Sequence, residues 1–412
     1  MARIVIIGGS LGGLMAGNML LRAGHDVQVL EKAPSSLAGR GAGIVTHQPL
    51  MAAIERCGLT VDASLGVAVT ERVVLARDGA VVEHAHISQV LTSWSRLYDM
   101  LSSVFDAKRY VYNAAVTQVS QNERGARVQC EDGRSFEADL VVAADGIRST
   151  VRAQHLPDVQ PQYAGYVAWR GVCDEAVLSQ WTLKTVFDTF GFGVPPGEQL
   201  IGYPVAGAGN ATARGQRRYN FVWYRPANEH DELTALMTDA DGQHYPLGIS
   251  PNKVAWQHVA QVRQIARERL APQFAEMLEK TAQPFLQPIY DCASTRLAFE
   301  RVALLGDAAF VARPHVGMGV TKAAEDAMAL AESIAAHGAT AQALLAYEQM
   351  RLAPCMAVVQ RGRALGAYMQ ALGQQPGSHI TVQARDARSV MLETAIDLSK
   401  PSAHAGTPAS VH

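Results

Sequence analysis

Residues Met1 to Glu31 constrain this chain more than any other stretch of it. Arg3-Ile4-Val5-Ile6-Ile7 is a short β-branched apolar run, of the kind buried on both faces of a parallel sheet. It leads straight into Gly8-Gly9-Ser10-Leu11-Gly12-Gly13, and Leu14, Leu20 and Leu21 then follow a helical pattern. A second apolar run, Val27 to Leu30, ends on Glu31, eighteen residues after Gly13. Strand, glycine turn, helix, strand and acid in that order predict a βαβ unit that holds a dinucleotide. The turn would bring backbone N–H groups and a helix N-terminus to a pyrophosphate, and the acid would accept hydrogen bonds from a ribose. Ser10 stands where the fingerprint has its second glycine. It is small enough for a close approach to phosphate, and it adds a hydroxyl donor.

A chain of 412 residues has room for two or three domains, or for one large domain carrying an inserted one. Its 36 basic residues against 38 acidic ones argue against a nucleic-acid or membrane-surface role based on bulk charge. No apolar run approaches the roughly 18 residues that a transmembrane helix needs. The N-terminal apolar run is too short for a signal peptide and flows directly into the glycine turn. Five scattered cysteines (Cys57, Cys130, Cys173, Cys292, Cys355) lack metal spacing, and the thirteen histidines are dispersed. The expectation is a cytoplasmic protein with reduced thiols and no metal site.

Along the chain, Gly39-Arg40-Gly41-Ala42-Gly43 implies backbone lying against something flat. Arg40 either reaches a phosphate or ribityl chain or is an exposed loop arginine. Glu71–Ile87 reads as two strands around the Asp78-Gly79 turn. Ser93–Phe105 reads as a helix whose early Arg96 suits a nearby anion. Val111–Val119 and Ala126–Cys130 pair as strands, and the buried-type run Leu140–Ala144 ends in Asp145-Gly146. Tyr163–Val172, Gly191–Pro204 and Tyr219–Arg225 form a second, antiparallel sheet. In the last of these, Tyr219, Phe221 and Trp223 share one face, and Asn220, Val222 and Tyr224 share the other. One face should cover a core; alternation alone does not say whether the other lines a pocket. Val254–Leu278 reads as a helical pair. Val302–Leu305 then runs into Gly306-Asp307, and Pro314-His315 precedes Gly317-Met318-Gly319, which opens a small-residue helix over Val320–Ala336. Leu344–Leu372 is one or two further helices, and the tail from Ser399 has a disordered composition.

The ordered set Gly8–Gly13 with Glu31, then Asp145-Gly146, then Gly306-Asp307 with Pro314 and Gly317-x-Gly319, resembles the single-component flavoprotein aromatic hydroxylases. That is the family of para-hydroxybenzoate and salicylate hydroxylases, and the resemblance covers roughly residues 3–345. Gly8-Gly9-Ser10, Tyr163–Gly171, Asn220–Tyr224 and Arg313-Pro314-His315 are most similar to its hydroxypyridine-hydroxylating members. The resemblance implies an α/β protein with a Rossmann-like FAD-binding domain of the glutathione reductase type, an inserted antiparallel substrate domain and C-terminal helices. The expected boundaries are 1–72, 92–160 and 289–345 for the FAD domain and 73–91 with 161–288 for the substrate domain. Helices would fill 346–398, and 399–412 would be a disordered tail.

By that resemblance Gly8, Gly9, Ser10, Leu11, Gly12 and Gly13 hold the FAD pyrophosphate, and Glu31 takes the adenosine ribose with Lys32 beside it. Arg40, Gly43 and Arg96 would lie along the ribityl-diphosphate, and Val116 would meet the adenine through its backbone. Asp307 would bind the ribityl side, while Pro314, Gly317, Met318, Gly319 and Val320 lie by the flavin ring. Asp145 and Gly146 would support both FAD and nicotinamide binding. The implied reaction uses NADH or NADPH and O2 to hydroxylate a hydroxylated aromatic or hydroxypyridine-like molecule through a C4a-hydroperoxyflavin, the cofactor doing the hard step. A base near the ring would help by deprotonating the substrate hydroxyl. His315 is the first candidate, or else a loop anchor, and His47 the second. Phe310 and Met318 replace the family's common His and Gln, which predicts a less polar site. The alternatives are another flavin-dependent oxidoreductase, a halogenase, for which the W-x-W-x-I-P motif is missing, or a non-catalytic redox module. A homodimer is left open.

Overall fold

The computed structural model describes residues 1–39, 43–246, 248–370 and 385–397. Arg40 and the tail from residue 399 lie outside the described residues.

The first half of the chain runs β1 (Arg3–Ile7), α1 (Leu11–Arg22), β2 (Asp26–Leu30), β3 (Gly43–Val45), α2 (Gln48–Arg56), β4 (Val67–Leu75), β5 (Val81–Ser93) and α3 (Trp94–Ser103). It continues through β6 (Tyr110–Val111), β7 (Val116–Asn122), β8 (Gly125–Cys130), β9 (Ser135–Ala138), β10 (Leu140–Ala143) and α4 (Thr150–His155). The second half begins with β11 (Gln162–Asp174), a short α5 (Gln180–Thr182), β12 (Phe190–Gly193), β13 (Gln199–Val205), β14 (Arg218–Pro226) and a short α6 (Thr234–Leu236). Next come α7 (Trp256–Arg269), α8 (Pro272–Lys280), β15 (Phe285–Ala293), β16 (Ala298–Phe299), β17 (Val302–Leu304) and β18 (Phe310–Val311). Three helices close the described chain: α9 (Gly319–His337), α10 (Ala341–Gln370) and α11 (Ala387–Glu393).

The apolar runs do what their composition dictates. β1 lies between β10 and β2, parallel to both, with Ile4 opposite Leu140 and Val27. Buried from both sides, it has no use for polar residues after Arg3. β10 continues to β17, so the sheet order is β16-β17-β10-β1-β2-β6, drawn from residues 3 to 304. Helices α1 and α9 pack against one another on this core.

A nine-stranded sheet, ordered β18-β15-β11-β14-β13-β12-β4-β5-β3, forms the second body. The Gly191–Pro204 run is a hairpin rather than one strand. Its break falls at Pro195-Pro196, where missing N–H groups cannot continue a ladder. The alternation on β14 resolves cleanly. Tyr219, Phe221 and Trp223 pack with α7 and α8. Val222 and Tyr224 belong to the opposite face, with Tyr203, Ile289 and residues of α10 and α11.

The expected boundaries at 72/73 and 91/92 fall inside β4 and β5, and that at 288/289 falls inside β15. All three strands belong to the nine-stranded sheet.

Candidate active site

Every Cα–Cβ direction in the opening turn is constrained by what it meets. A Cβ on Gly13 would lie 1.9 Å from the Gly8 carbonyl oxygen, so only glycine lets α1 start this close to β1. The Gly9 N–H donates to Glu31 Oε2 at 2.9 Å and the Ala33 N–H to Oε1 at 2.8 Å. Tyr110 donates its hydroxyl to the Gly9 carbonyl at 2.9 Å. The buried Glu31 carboxylate therefore holds the turn open, and each of its oxygens keeps a second lone pair for a ribose hydroxyl.

Ser10, Glu31, Lys32, Val116, Asp145 and Gly146 all line one cavity of about 610 Å³. Asp145 Oδ2 accepts from the Thr150 N–H at 2.8 Å at the start of α4, while its Oδ1 is buried without a hydrogen bond. Burial raises the Asp145 carboxyl above the usual range. Sequence reasoning assigned no role to Arg152. Buried, it donates to the Ala308 carbonyl at 2.9 Å and the Ile147 carbonyl at 2.5 Å, tying the Asp145-Gly146 turn to the Gly306–Ala308 turn.

A second cavity, of about 590 Å³, carries Gly43 and Arg96. The Arg96 Nη2 donates to Ser64 Oγ at 2.7 Å and its Nε to the Ser64 carbonyl at 3.2 Å. The Gly43 N–H donates to Asn220 Oδ1 at 3.1 Å.

Gly43 is also part of a third cavity, of about 260 Å³, between the large sheet and the start of α9. Asp307, Pro314, Gly317, Gly319 and Val320 form one wall. Arg170, Tyr203, Val222 and Tyr224 form the facing one. Among the described residues no side chain caps α9, which leaves its first N–H groups and its positive dipole end toward this space.

Met318 is buried with Val316, Val358 and Leu365, and Phe310 is buried in the core of the first sheet. Neither residue lines the third cavity, so the expected loss of polarity does not reach it.

The two histidines are placed differently from a base. The His315 ring is enclosed behind Tyr224, 4.0 Å between ring centroids, with Nε2 2.9 Å from the Tyr166 hydroxyl. Burial, then the neighbouring Arg313, pushes it down to about 3, which leaves a neutral ring that does not line the cavity. His47 is buried at the start of α2, with Nδ1 3.0 Å from Thr321 Oγ1. Both anchor loops to α9 and to the sheet.

The polar groups that do converge are others. Arg170 Nη1 donates to the neutral Gln287 Oε1 at 2.6 Å, and its Nε is buried without a hydrogen bond. Tyr224 Oη and Asn220 Nδ2 are likewise buried and unsatisfied among the described residues. Burial raises the phenols of Tyr203, to about 12, and of Tyr224, so both stay protonated donors. The β14 alternation puts Asn220, Val222 and Tyr224 on one face, and the register sets Arg170 opposite Val222.

An elongated dinucleotide fits this run of spaces: acceptors at Glu31 and Asp145, a bare helix start at α9 and an open carboxylate at Asp307.

Residues 163–291 match the family described as FAD binding domain-like. The chain is 31% identical to 2,6-dihydroxypyridine 3-monooxygenase of Paenarthrobacter nicotinovorans, over 91% of this chain and 94% of that one. It is 30% identical to aurachin C monooxygenase/isomerase of Stigmatella aurantiaca, over 85% of each. Among solved structures, 2,6-dihydroxypyridine-3-hydroxylase of Arthrobacter nicotinovorans superposes with a TM-score of 0.84 at 31% identity, covering 92% of this chain and 95% of that one. HpxO of Klebsiella pneumoniae, complexed with FAD and uric acid, shares the fold at a TM-score of 0.73 and 23% identity, over 91% and 93% of the two chains. With a relative this similar along nearly its whole length, and with the glycine turn, the two acids and the bare helix start in one run of cavities, the chain belongs to the family of FAD-dependent monooxygenases that hydroxylate aromatic rings.

Proposed function

We propose that the protein uses NADH or NADPH and O2 to hydroxylate a hydroxypyridine-like ring seated in the 260 Å³ cavity. The observation that carries this reading is the facing wall: Arg170 and Tyr224 present buried donors, unsatisfied among the described residues, opposite the residues assigned to the flavin. Donors without an acceptor select a ligand that supplies negative charge or carbonyl oxygens. Among the described residues no histidine stands on that wall to take a proton. A ring whose hydroxyl ionises readily needs none, and hydroxypyridines fit that requirement better than simple phenols.

When bound, reduced flavin with O2 supplies the electrophilic oxygen, and an anionic ring is the better nucleophile for it. The protein's own part is to orient the ring with Arg170 and Tyr224, exclude water with Val222 and Ile289, and hold FAD by Ser10, Glu31, Lys32, Gly43, Val116, Asp145 and Asp307. Its α9 start would stabilise negative charge developing on the flavin.

The test is NADH and NADPH oxidation with and without a panel of hydroxypyridines and hydroxybenzoates, with oxygen uptake and product mass followed in parallel. One compound should strongly stimulate oxidation and gain one oxygen atom. Bound flavin with no stimulation across the panel would overturn the substrate class. Arg170→Met should lower kcat/KM by about 100-fold, the scale of a lost charge-assisted contact, and leave FAD bound. An unchanged kcat/KM would remove Arg170 from the substrate wall.

A further inference from the structure

Lys322 lies one turn into α9 and is fully buried. Its Nζ makes no hydrogen bond among the described residues. Its Nζ lies 3.8 Å from Asp326 Oδ2, at i+4. Asp326 is already engaged. Arg351 Nε donates to its Oδ1 at 2.7 Å, Cys355 Sγ approaches the same oxygen at 3.3 Å, and the Gly306 N–H donates to Oδ2 at 3.1 Å. Arg351 also pairs with Glu325 at 2.9 Å. A buried ammonium is costly unless a charge compensates it, and Arg351 has already taken that role for Asp326.

The remaining acid is Asp307, in the turn that Asp326 fastens to α9. Its side chain is open to the cavity but hemmed in by protein, and burial raises its carboxyl while Lys322 and Arg152 oppose that rise and Asp326 adds to it. We propose that Lys322, which cannot itself reach the cavity, is a positioning residue that keeps Asp307 ionised as the acceptor for the ribityl hydroxyls of FAD and so sets the pH below which FAD is released. The inference rests on the assignment of Asp307 to the ribityl chain. Lys322 and Asp326 face Asp307 from α9 and Arg152 from α4, with Arg351, Glu325 and Cys355 behind them; His47 touches the adjoining Thr321 and is common to every variant.

The sign is fixed by the charges. A lysine beside a carboxyl favours the ionised form, so its removal raises the pH at which the acceptor is lost, by about one to two units for an opposite charge at close range. FAD affinity is read from flavin fluorescence quenching on full-length apoprotein between pH 5 and pH 9, for wild type, Lys322→Met, Lys322→Gln, Asp307→Asn and the double variant K322M/D307N. The Lys322 variants should match wild type within a few-fold at the alkaline end. Their affinity should fall about one to two pH units earlier as the solution is acidified. In the Asp307→Asn background, Lys322→Met should make no further difference. Profiles for both Lys322 variants that superpose on wild type would overturn the proposal, as would a Lys322 effect that persists without Asp307. Wild type that takes up no FAD would overturn the site assignment, and this inference with it. Thermal melts of the apoproteins separate a folding defect from either result.

Discussion

The imidazole of His315 shows how far a residue's role depends on what surrounds it. Held neutral near the value of 3, against about 6.5 in an unfolded chain, it makes the folded state bind fewer protons between those limits. Stability therefore falls as pH drops through that window, at about 1.4 kcal/mol per unit, or about 2 kcal/mol between pH 7 and pH 5. Urea denaturation of His315→Gln should show a pH dependence smaller by that amount, and an unchanged slope would mean the ring protonates in place. The activity profile should carry no limb belonging to this residue. In the sequence, His315 stands beside Pro314 in a loop next to a helix start, which is all that adjacency can say. Whether its ring turns to the cavity is decided by Tyr166 and Tyr224, some 149 and 91 residues earlier in the chain. Gly8 to Gly13 and Glu31 were legible because their constraint is local: a turn between adjacent elements leaves few choices of residue. Arg170 and Asn220 were not, because a donor left without a partner shows only when the whole wall is assembled.

At the scale of elements, α11 is held by a single buried cation. Arg72 on β4 is fully enclosed, and burial pushes it down to about 10, so it stays charged at neutral pH. Its Nη1 donates to the Met391 and Thr394 carbonyls at 2.6 and 2.7 Å, and its Nη2 to the Ala395 carbonyl at 3.1 Å. These are the acceptors that a helix leaves unsatisfied at its C-terminus, and a cation there also complements the helix dipole. Phe190 stacks under the guanidinium at 4.9 Å. The clamp reaches the third cavity, because Ala395 lines it and donates its N–H to the His315 carbonyl at 2.9 Å. Gly317, at a φ of +67°, packs against it so closely that a Cβ would meet the Ala395 Cβ at 2.6 Å. Arg72→Met should strand the Met391 and Thr394 carbonyls, while Gln89 Nε2 still donates to the Ala395 carbonyl at 2.9 Å, and should cost about 2 kcal/mol, at one or more for each buried acceptor left unpaired. It should expose the C-terminal segment to limited proteolysis and speed FAD dissociation. A variant that resists protease like wild type and retains FAD equally long would show the clamp to be idle. Periodicity marked β1, β14 and α9 well, since each buries a face within its own span. It was silent on α11, a seven-residue helix whose stability comes from an arginine more than 300 residues away.

Over the whole molecule, the two larger of the three sheets share their wiring. The six-stranded sheet needs β17 near residue 304 to cover β10, and the nine-stranded sheet borrows β3 from near the N-terminus and β18 from beyond β17. The third cavity is walled by Arg170 and Tyr224 from one sheet and by the Asp307 turn and α9 from the other body. A ligand spanning that seam binds only when both bodies are folded, so its binding energy adds to a common transition rather than to that of one part. Saturating FAD at about 100 times its dissociation constant should contribute about 2.7 kcal/mol. With an unfolding entropy of about 2.1 cal/mol/K per residue spread over 412 residues, that stabilisation corresponds to a rise of only about 3 °C in Tm. Calorimetry at increasing FAD should therefore show one peak that moves upward logarithmically with free FAD and keeps its shape. Two peaks of which only one moves would mean that the bodies melt independently and that the cofactor's contacts stop at the Gly8–Gly13 side of the seam.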